Sequence, residues 1–227
     1  ERMTAQIRGL NMATKNANDG LSMLGVIENA TNDVTDMLHR MRELAIQATN
    51  DTNGDADRIF LQKEVAQLIE EIDRVADKTT YNDQVVLNGD FTGKSIQVGT
   101  KSGDVVTFSI DDINTSAIGT SSGTQIKAIT VSSASGAEAA LQVITDAIEQ
   151  VAGDRATYGA LQNRLEYTVS NLMNVAEFTT AARSRIEDAD FAAESARLAK
   201  AQVLQQTGTA MLAQANASSQ LALSLIR

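Results

Sequence analysis

The 227-residue sequence predicts a mainly α protein: a long antiparallel, coiled-coil-like helical rod with a small β-hairpin region and a C-terminal helical tail. Three observations lead there. The chain has no proline, so no ring clash or missing amide interrupts a helix. Apolar residues recur at alternating three- and four-residue steps toward both ends of the chain. Seven of the 14 glycines lie between Gly89 and Gly136, which confines the turn-forming chemistry to the middle.

Residues 1–84 carry the first two rod helices. Ile7, Leu10, Thr14, Ala17, Leu21, Leu24, Ile27, Val34, Leu38 and Met41 follow a heptad-like pattern that ends near Asn50. There the run Asn50-Asp51-Thr52-Asn53-Gly54-Asp55 supplies side chains that bond their own backbone and tolerate unusual dihedrals. Leu61, Val65, Leu68, Ile72 and Val75 then form one stripe of a second helix, expected to return antiparallel to the first.

Residues 85–136 read as small hairpins followed by a variable stretch. Val85 to Leu87, Ser95 to Val98 and Val105 to Ile110 are short β-prone runs separated by glycine-containing turns. From Asn114 to Ser135 the composition is mostly Ser, Thr, Gly, Ala and Ile, which suggests an exposed middle tolerant of variation.

Residues 137–188 resume the helical period through Leu141, Ile144, Ile148, Val151, Tyr158, Leu165, Val169 and Leu172, a helix of ~75 Å at 1.5 Å per residue. Arg155 and Gln162 are polar members of that seam. The next boundary is expected at Asp188 to Asp190, leaving 189–227 as a separate terminal helix. No charge occurs between Ala201 and Ile226, yet 11 of those 26 positions are Gln, Asn, Ser or Thr, too polar for a membrane span. Its apolar residues surround the helix, so a multi-helix assembly must cover them.

Composition excludes several functions. Net charge −10 and pI near 4.6 argue against a nucleic-acid partner, which needs clustered Lys and Arg. Without cysteine there is no disulfide, thiolate ligand or thiol nucleophile. The one histidine, His39, has no second histidine to pair with for zinc, and reads as a surface helix residue. Asp51, Asn53, Asp55 and Asp57 resemble the start of a calcium loop, but Ala56 and Gln62 occupy its glycine and bidentate glutamate positions, so a turn and a helix start fit better. No serine sits in a nucleophile elbow. The expectation is a protein that is not an enzyme and uses no cofactor.

Several motifs occur in a recognisable order: Ile7 to Gly20 (IRGLNMATKNANDG), Arg40 to Asn50 (RMRELAIQATN), Glu71 to Phe91 (EIDRVADKTTYNDQVVLNGDF), Asn163 to Asn174 (NRLEYTVSNLMN), Ser184 to Ser195 (SRIEDADFAAES) and Gln202 to Arg227. These closely resemble the two conserved halves of bacterial flagellin, and the match spares only the glycine-rich middle. The resemblance implies a structural subunit of the motility filament, secreted and carried on the extracellular flagellum, with further helical sequence ahead of Glu1. A filament-junction protein is the nearest alternative. The hydroxyls from Thr115 to Ser135 would accept glycans as in similar flagellins, while a solvated tip accounts for them equally well.

Three kinds of partner follow from the resemblance: other flagellin subunits, a flagellar export chaperone on the C-terminal segment, and a vertebrate Toll-like receptor of the flagellin-sensing type. The resemblance places receptor contacts on Arg40, Leu44 and Glu64, with His39 where the motif usually has glutamine. Leu44 is expected to be partly exposed, since Leu38, Met41 and Leu68 fill the inward stripe. Chaperone contacts and the filament core are expected at Leu198, Val203, Leu204, Met211, Leu212, Leu221, Leu223 and Leu225.

Overall fold

The computed structural model describes the backbone of residues 1–120 and 123–225, and their side chains except those of 188–190 and 219–225. Helix α1 spans Arg2–Thr49 and helix α2 spans Asp55–Lys78. Leu10, Ala13, Ala17, Leu24, Ile27, Val34, Leu38, Met41, Leu44 and Ala48 of α1 are buried at three- and four-residue steps, as an amphipathic stripe requires. Val65, Ile72 and Ala76 are buried on α2, with Leu61, Leu68 and Val75 packed partly against them.

Arg58, 8% exposed, fixes the turn between the two helices. Its Nε donates to the Ala48 carbonyl at 2.8 Å and an Nη donates to the Asn50 carbonyl at 3.3 Å. These are carbonyls at the end of α1 that have no partner within the helix. Asp55 balances the guanidinium at 3.3 Å. The Asp57 carboxylate accepts from the Gly54 amide at 3.1 Å at the start of α2, where exposed amides favour negative charge. The calcium-like residues therefore serve a turn and a helix start.

Strands β1 (Thr80–Tyr81) and β2 (Gln84–Val85) pair antiparallel through Asn82 and Asp83, whose φ angles are +50° and +61°. Two consecutive left-handed residues make the turn that matches strand twist, and Asn and Asp adopt it most readily after glycine. Strands β3 (Lys94–Gln97) and β4 (Val105–Phe108) form a second hairpin, with Ile96 opposite Val106. Asn16 of α1 donates to the Gln97 carbonyl at 3.1 Å, tying this hairpin to the helix.

The segment from Ile110 to Val131 is packed, where the sequence suggested an exposed tip. Ile110, Ile113, Thr115, Ile118, Ile126, Ile129 and Val131 are buried. Their spacing has neither helical nor strand period, and α2 supplies the missing hydrogen bonds. Asp73 accepts both the amide and the hydroxyl of Thr115 at 2.8 Å, and Gln62 accepts the Val131 amide at 2.6 Å. The exposed Ser and Thr side chains alternate with these anchors.

Helix α3 spans Ala134–Leu225, opened by the Ser133 hydroxyl accepting from the Gly136 amide at 3.1 Å. Its backbone stays helical through residues 188–190, so the helix end expected there is absent. Aspartate costs a helix interior under ~1 kcal/mol and neither glycine nor proline accompanies it. Ala137, Ala140, Ile144, Ala147, Val151, Tyr158, Leu165 and Leu172 are its buried seam. Gln162 on that seam donates to Glu28 of α1 at 3.0 Å. The chain divides into two compact units, Arg8–Val175 and Glu1–Ile7 with Ala176–Arg227. The first holds one continuous core drawn from α1, α2, α3, the hairpins and the 110–131 segment.

Leu44 corrects the expectation of a partly exposed side chain, because only 1% of it is exposed. It stands three residues beyond Met41 and four before Ala48, so the stripe that carries Leu38 and Met41 inward carries Leu44 with them. Leu44→Ala is therefore expected to destabilise the Arg8–Val175 unit by about 2–5 kcal/mol. Arg40→Ala, at a surface ion pair, is expected to leave the unfolding midpoint unchanged. Urea unfolding followed by circular dichroism checks both, and equal midpoints for the two variants would contradict the assignment.

Candidate interaction surfaces

Among the described residues no group of three His, Asp or Glu side chains gathers to hold a metal ion, and no helix is long and apolar enough to cross a membrane. What the molecule offers is surface. The first candidate lies where α1 and α2 run antiparallel. Arg40 donates through Nε to Glu64 at 2.9 Å and through an Nη to Glu43 at 2.9 Å. Hydrogen bonds donated to Glu43 and then Glu64 hold its guanidinium above the usual arginine pKa.

The arrangement brings together Arg40 and Glu64, residues 24 apart in sequence, on one exposed face, with exposed His39 next to Arg40. It does not bring Leu44 to that face. The leucine belongs to the buried core instead. Glu43, which the sequence reading had not singled out, is the second partner of Arg40. The signal for it was present, since a Glu three residues after an Arg shares its helix face.

The second candidate is the helix beyond Ala176. Leu198, Val203, Leu204, Met211 and Leu212 are between 58% and 70% exposed. Leu221, Leu223 and Leu225 lie outside the described side chains. At 100° per residue Leu204 and Met211 share a face, while Val203 and Leu212 point to nearly opposite sides. Between them Thr207 donates to the Val203 carbonyl at 2.9 Å and Thr209 to the Gln205 carbonyl at 3.1 Å, so both hydroxyls are bonded within the helix. Phe178, Ile186 and Phe191, each more than half exposed, extend the apolar character toward residue 176. Sequence reading did not single these three out, because charged residues such as Glu177, Arg185, Glu187 and Glu194 surround them.

Both ends of the chain match family models: residues 1–92 the bacterial flagellin N-terminal helical region, and residues 141–226 the bacterial flagellin C-terminal helical region. The chain is 40% identical to a flagellin of Halalkalibacterium halodurans, across all of this chain and 82% of that one. It is 38% identical to a flagellar filament 33 kDa core protein of Treponema phagedenis, across all of this chain and 83% of that one. Among solved structures, Bacillus cereus flagellin matches at 33% identity with a TM-score of 0.60, over 70% of this chain and 88% of that one. A putative flagellar hook-associated protein of Vibrio parahaemolyticus aligns with a TM-score of 0.70 over 80% of this chain and 92% of that one, but at 14% identity it shares the fold alone. With the two family regions at its two ends and these relatives along its whole length, the chain belongs to the bacterial flagellin family, as a structural subunit of the flagellar filament and not an enzyme.

Proposed function

We propose that this filament subunit is secreted and built into the extracellular flagellum through the apolar surface of its C-terminal helix, which a flagellar export chaperone covers first and other flagellin subunits cover afterward. The observation that carries this reading is the exposure of large apolar side chains on several sides of a helix that has no charged residue from Ala201 to Leu225. Contiguous exposed apolar area of this kind marks interaction sites, and an amphipathic or fully apolar helix is bound by laying it into a groove. Leu198, Val203, Leu204, Met211 and Leu212 would anchor both partners in turn, with Leu221, Leu223 and Leu225 continuing the pattern in sequence. Mutually exclusive occupancy follows, because the same side chains cannot be buried twice.

Charge substitutions test this without disturbing a core, since the two positions are exposed. The double variant Leu204→Asp/Met211→Asp is expected to weaken chaperone binding at least ~100-fold, with two buried apolar anchors replaced by carboxylates. Calorimetric titration reads the difference, and unchanged affinity would discard the chaperone assignment.

We further propose that His39, Arg40 and Glu64 form the contact for a flagellin-sensing Toll-like receptor. Support comes from their shared exposure and from the Arg40–Glu64 pair at 2.8 Å, which presents a fixed donor fork at the surface. Leu44 enters only by holding the helix in place. Arg40→Ala is expected to reduce receptor signalling about tenfold or more while the circular dichroism spectrum stays unchanged. A signal equal to that of the unmodified chain would remove Arg40 from the contact.

A further inference from the structure

The sequence contains two Asn-Gly pairs, Asn53-Gly54 and Asn88-Gly89. In such a pair the glycine nitrogen lies one ring closure from the asparagine carboxamide, and no side chain on the following residue hinders its approach. The fold treats the two pairs differently. Gly54 is the N-cap of α2, where its amide donates to the Asp57 carboxylate at 3.1 Å and its carbonyl accepts the Arg58 amide at 3.1 Å. The Asn53 carboxamide donates to the Gln47 carbonyl at 2.5 Å. Both the nucleophile and the group it would attack are therefore engaged between α1 and α2.

At the second pair only the carboxamide is engaged. Asn88 Oδ1 accepts the Asp90 amide at 3.2 Å and Nδ2 donates to Asp90 Oδ2 at 2.7 Å, so one residue holds the group in one orientation. Among the described residues the Gly89 amide donates to none. Gly89 has a φ of +81°, and a Cβ there would stand 3.1 Å from the Asp112 Cβ, so this backbone keeps a glycine after the asparagine.

We propose that Asn88 is a site of spontaneous deamidation that needs no enzyme. The Gly89 nitrogen, losing its proton to hydroxide, attacks the Asn88 Cγ, and charge collects on Oδ1, where the Asp90 amide stabilises it. The Cγ–Nδ2 bond breaks, the nitrogen takes a proton from water and leaves as ammonia, and a succinimide ring remains. Water then opens the ring at either carbonyl, giving aspartate or, where the main chain now runs through Cγ, isoaspartate.

Position gives the change its effect. The Leu87 carbonyl accepts the Ile113 amide at 3.2 Å and the Phe91 carbonyl accepts the Ile110 amide at 3.0 Å, with Leu87, Ile110 and Ile113 fully buried. Asn88 lies between these two anchors, so isoaspartate inserts a methylene group into the main chain that spans them and spoils the match in their spacing. Loss of ammonia makes the conversion one-way, and the modified fraction rises with the age of the chain.

Peptide mapping by mass spectrometry of the full chain, held for days at pH 8, reads each site separately through the replacement of NH2 by OH. In the folded chain Asn88 is expected to convert at least ~10-fold faster than Asn53. In urea, where both amides are free, the two are expected to convert at similar rates. Asp57→Ala releases the Gly54 amide and is expected to raise the Asn53 rate without moving that of Asn88. The isoaspartate form, separated from the unmodified chain, is expected to unfold at a lower urea concentration. Equal rates at the two sites in the folded chain, a faster Asn53, or the same ratio in urea overturns the proposal. An unchanged unfolding midpoint would overturn the effect assigned to the modification.

Discussion

The seam of α3 is the constraint on which the Arg8–Val175 unit depends. A helix keeps one face toward its partners over about ten turns only if its inward residues advance by threes, fours and sevens, and from Ala137 to Leu172 they do, with one full heptad from Val151 to Tyr158 that carries no buried apolar residue between. Alanines at 137, 140 and 147, with Ala17, Ala45 and Ala48 on α1, leave room between the larger side chains. Long apolar residues such as Leu24, Ile27, Ile144 and Tyr158 fill that room. Both hairpins and the segment before α3 add to a core whose direction the helices have already set.

Arginine does two different jobs at the two ends of the α1–α2 pair. Arg58 is buried, and its guanidinium replaces the helical partners that the last carbonyls of α1 lack. Arg40 is exposed, where water competes for the same donors and an ion pair adds little to stability. The residue type alone does not separate a structural role from a surface one. Burial and the identity of the acceptor do, backbone carbonyl in one case and carboxylate in the other.

Long-period features were legible in the sequence. The stripes of α1 and α2, the turn after Asn50, the β3–β4 hairpin and the apolar yet uncharged tail were carried by spacing and by turn chemistry, whereas the short β1–β2 hairpin falls largely in the range read as rod helix. Leu44 misled because its neighbours in the motif were read for the resemblance they bear, whereas its spacing from Met41 and Ala48 already placed it inward. The anchors between Ile110 and Val131 had no period to read, and their partners Asp73 and Gln62 lie on a distant helix.

The bond between Gln162 and Glu28 spans 134 residues of chain, whereas Arg58 reaches Ala48 across ten. Closing the longer loop costs about 2 kcal/mol more in chain entropy, since the penalty grows with the logarithm of length. The order of events in folding follows from that difference. Loop-closure entropy favours an order in which the first two helices fold back on each other as a local hairpin, the strands form by short-range pairing, and α3 docks last. With no proline in the chain, no slow peptide isomerisation delays any of these steps. A chain of this topology regains its shape at the pace of helix docking, with the pairing of Gln162 and Glu28 the last to close.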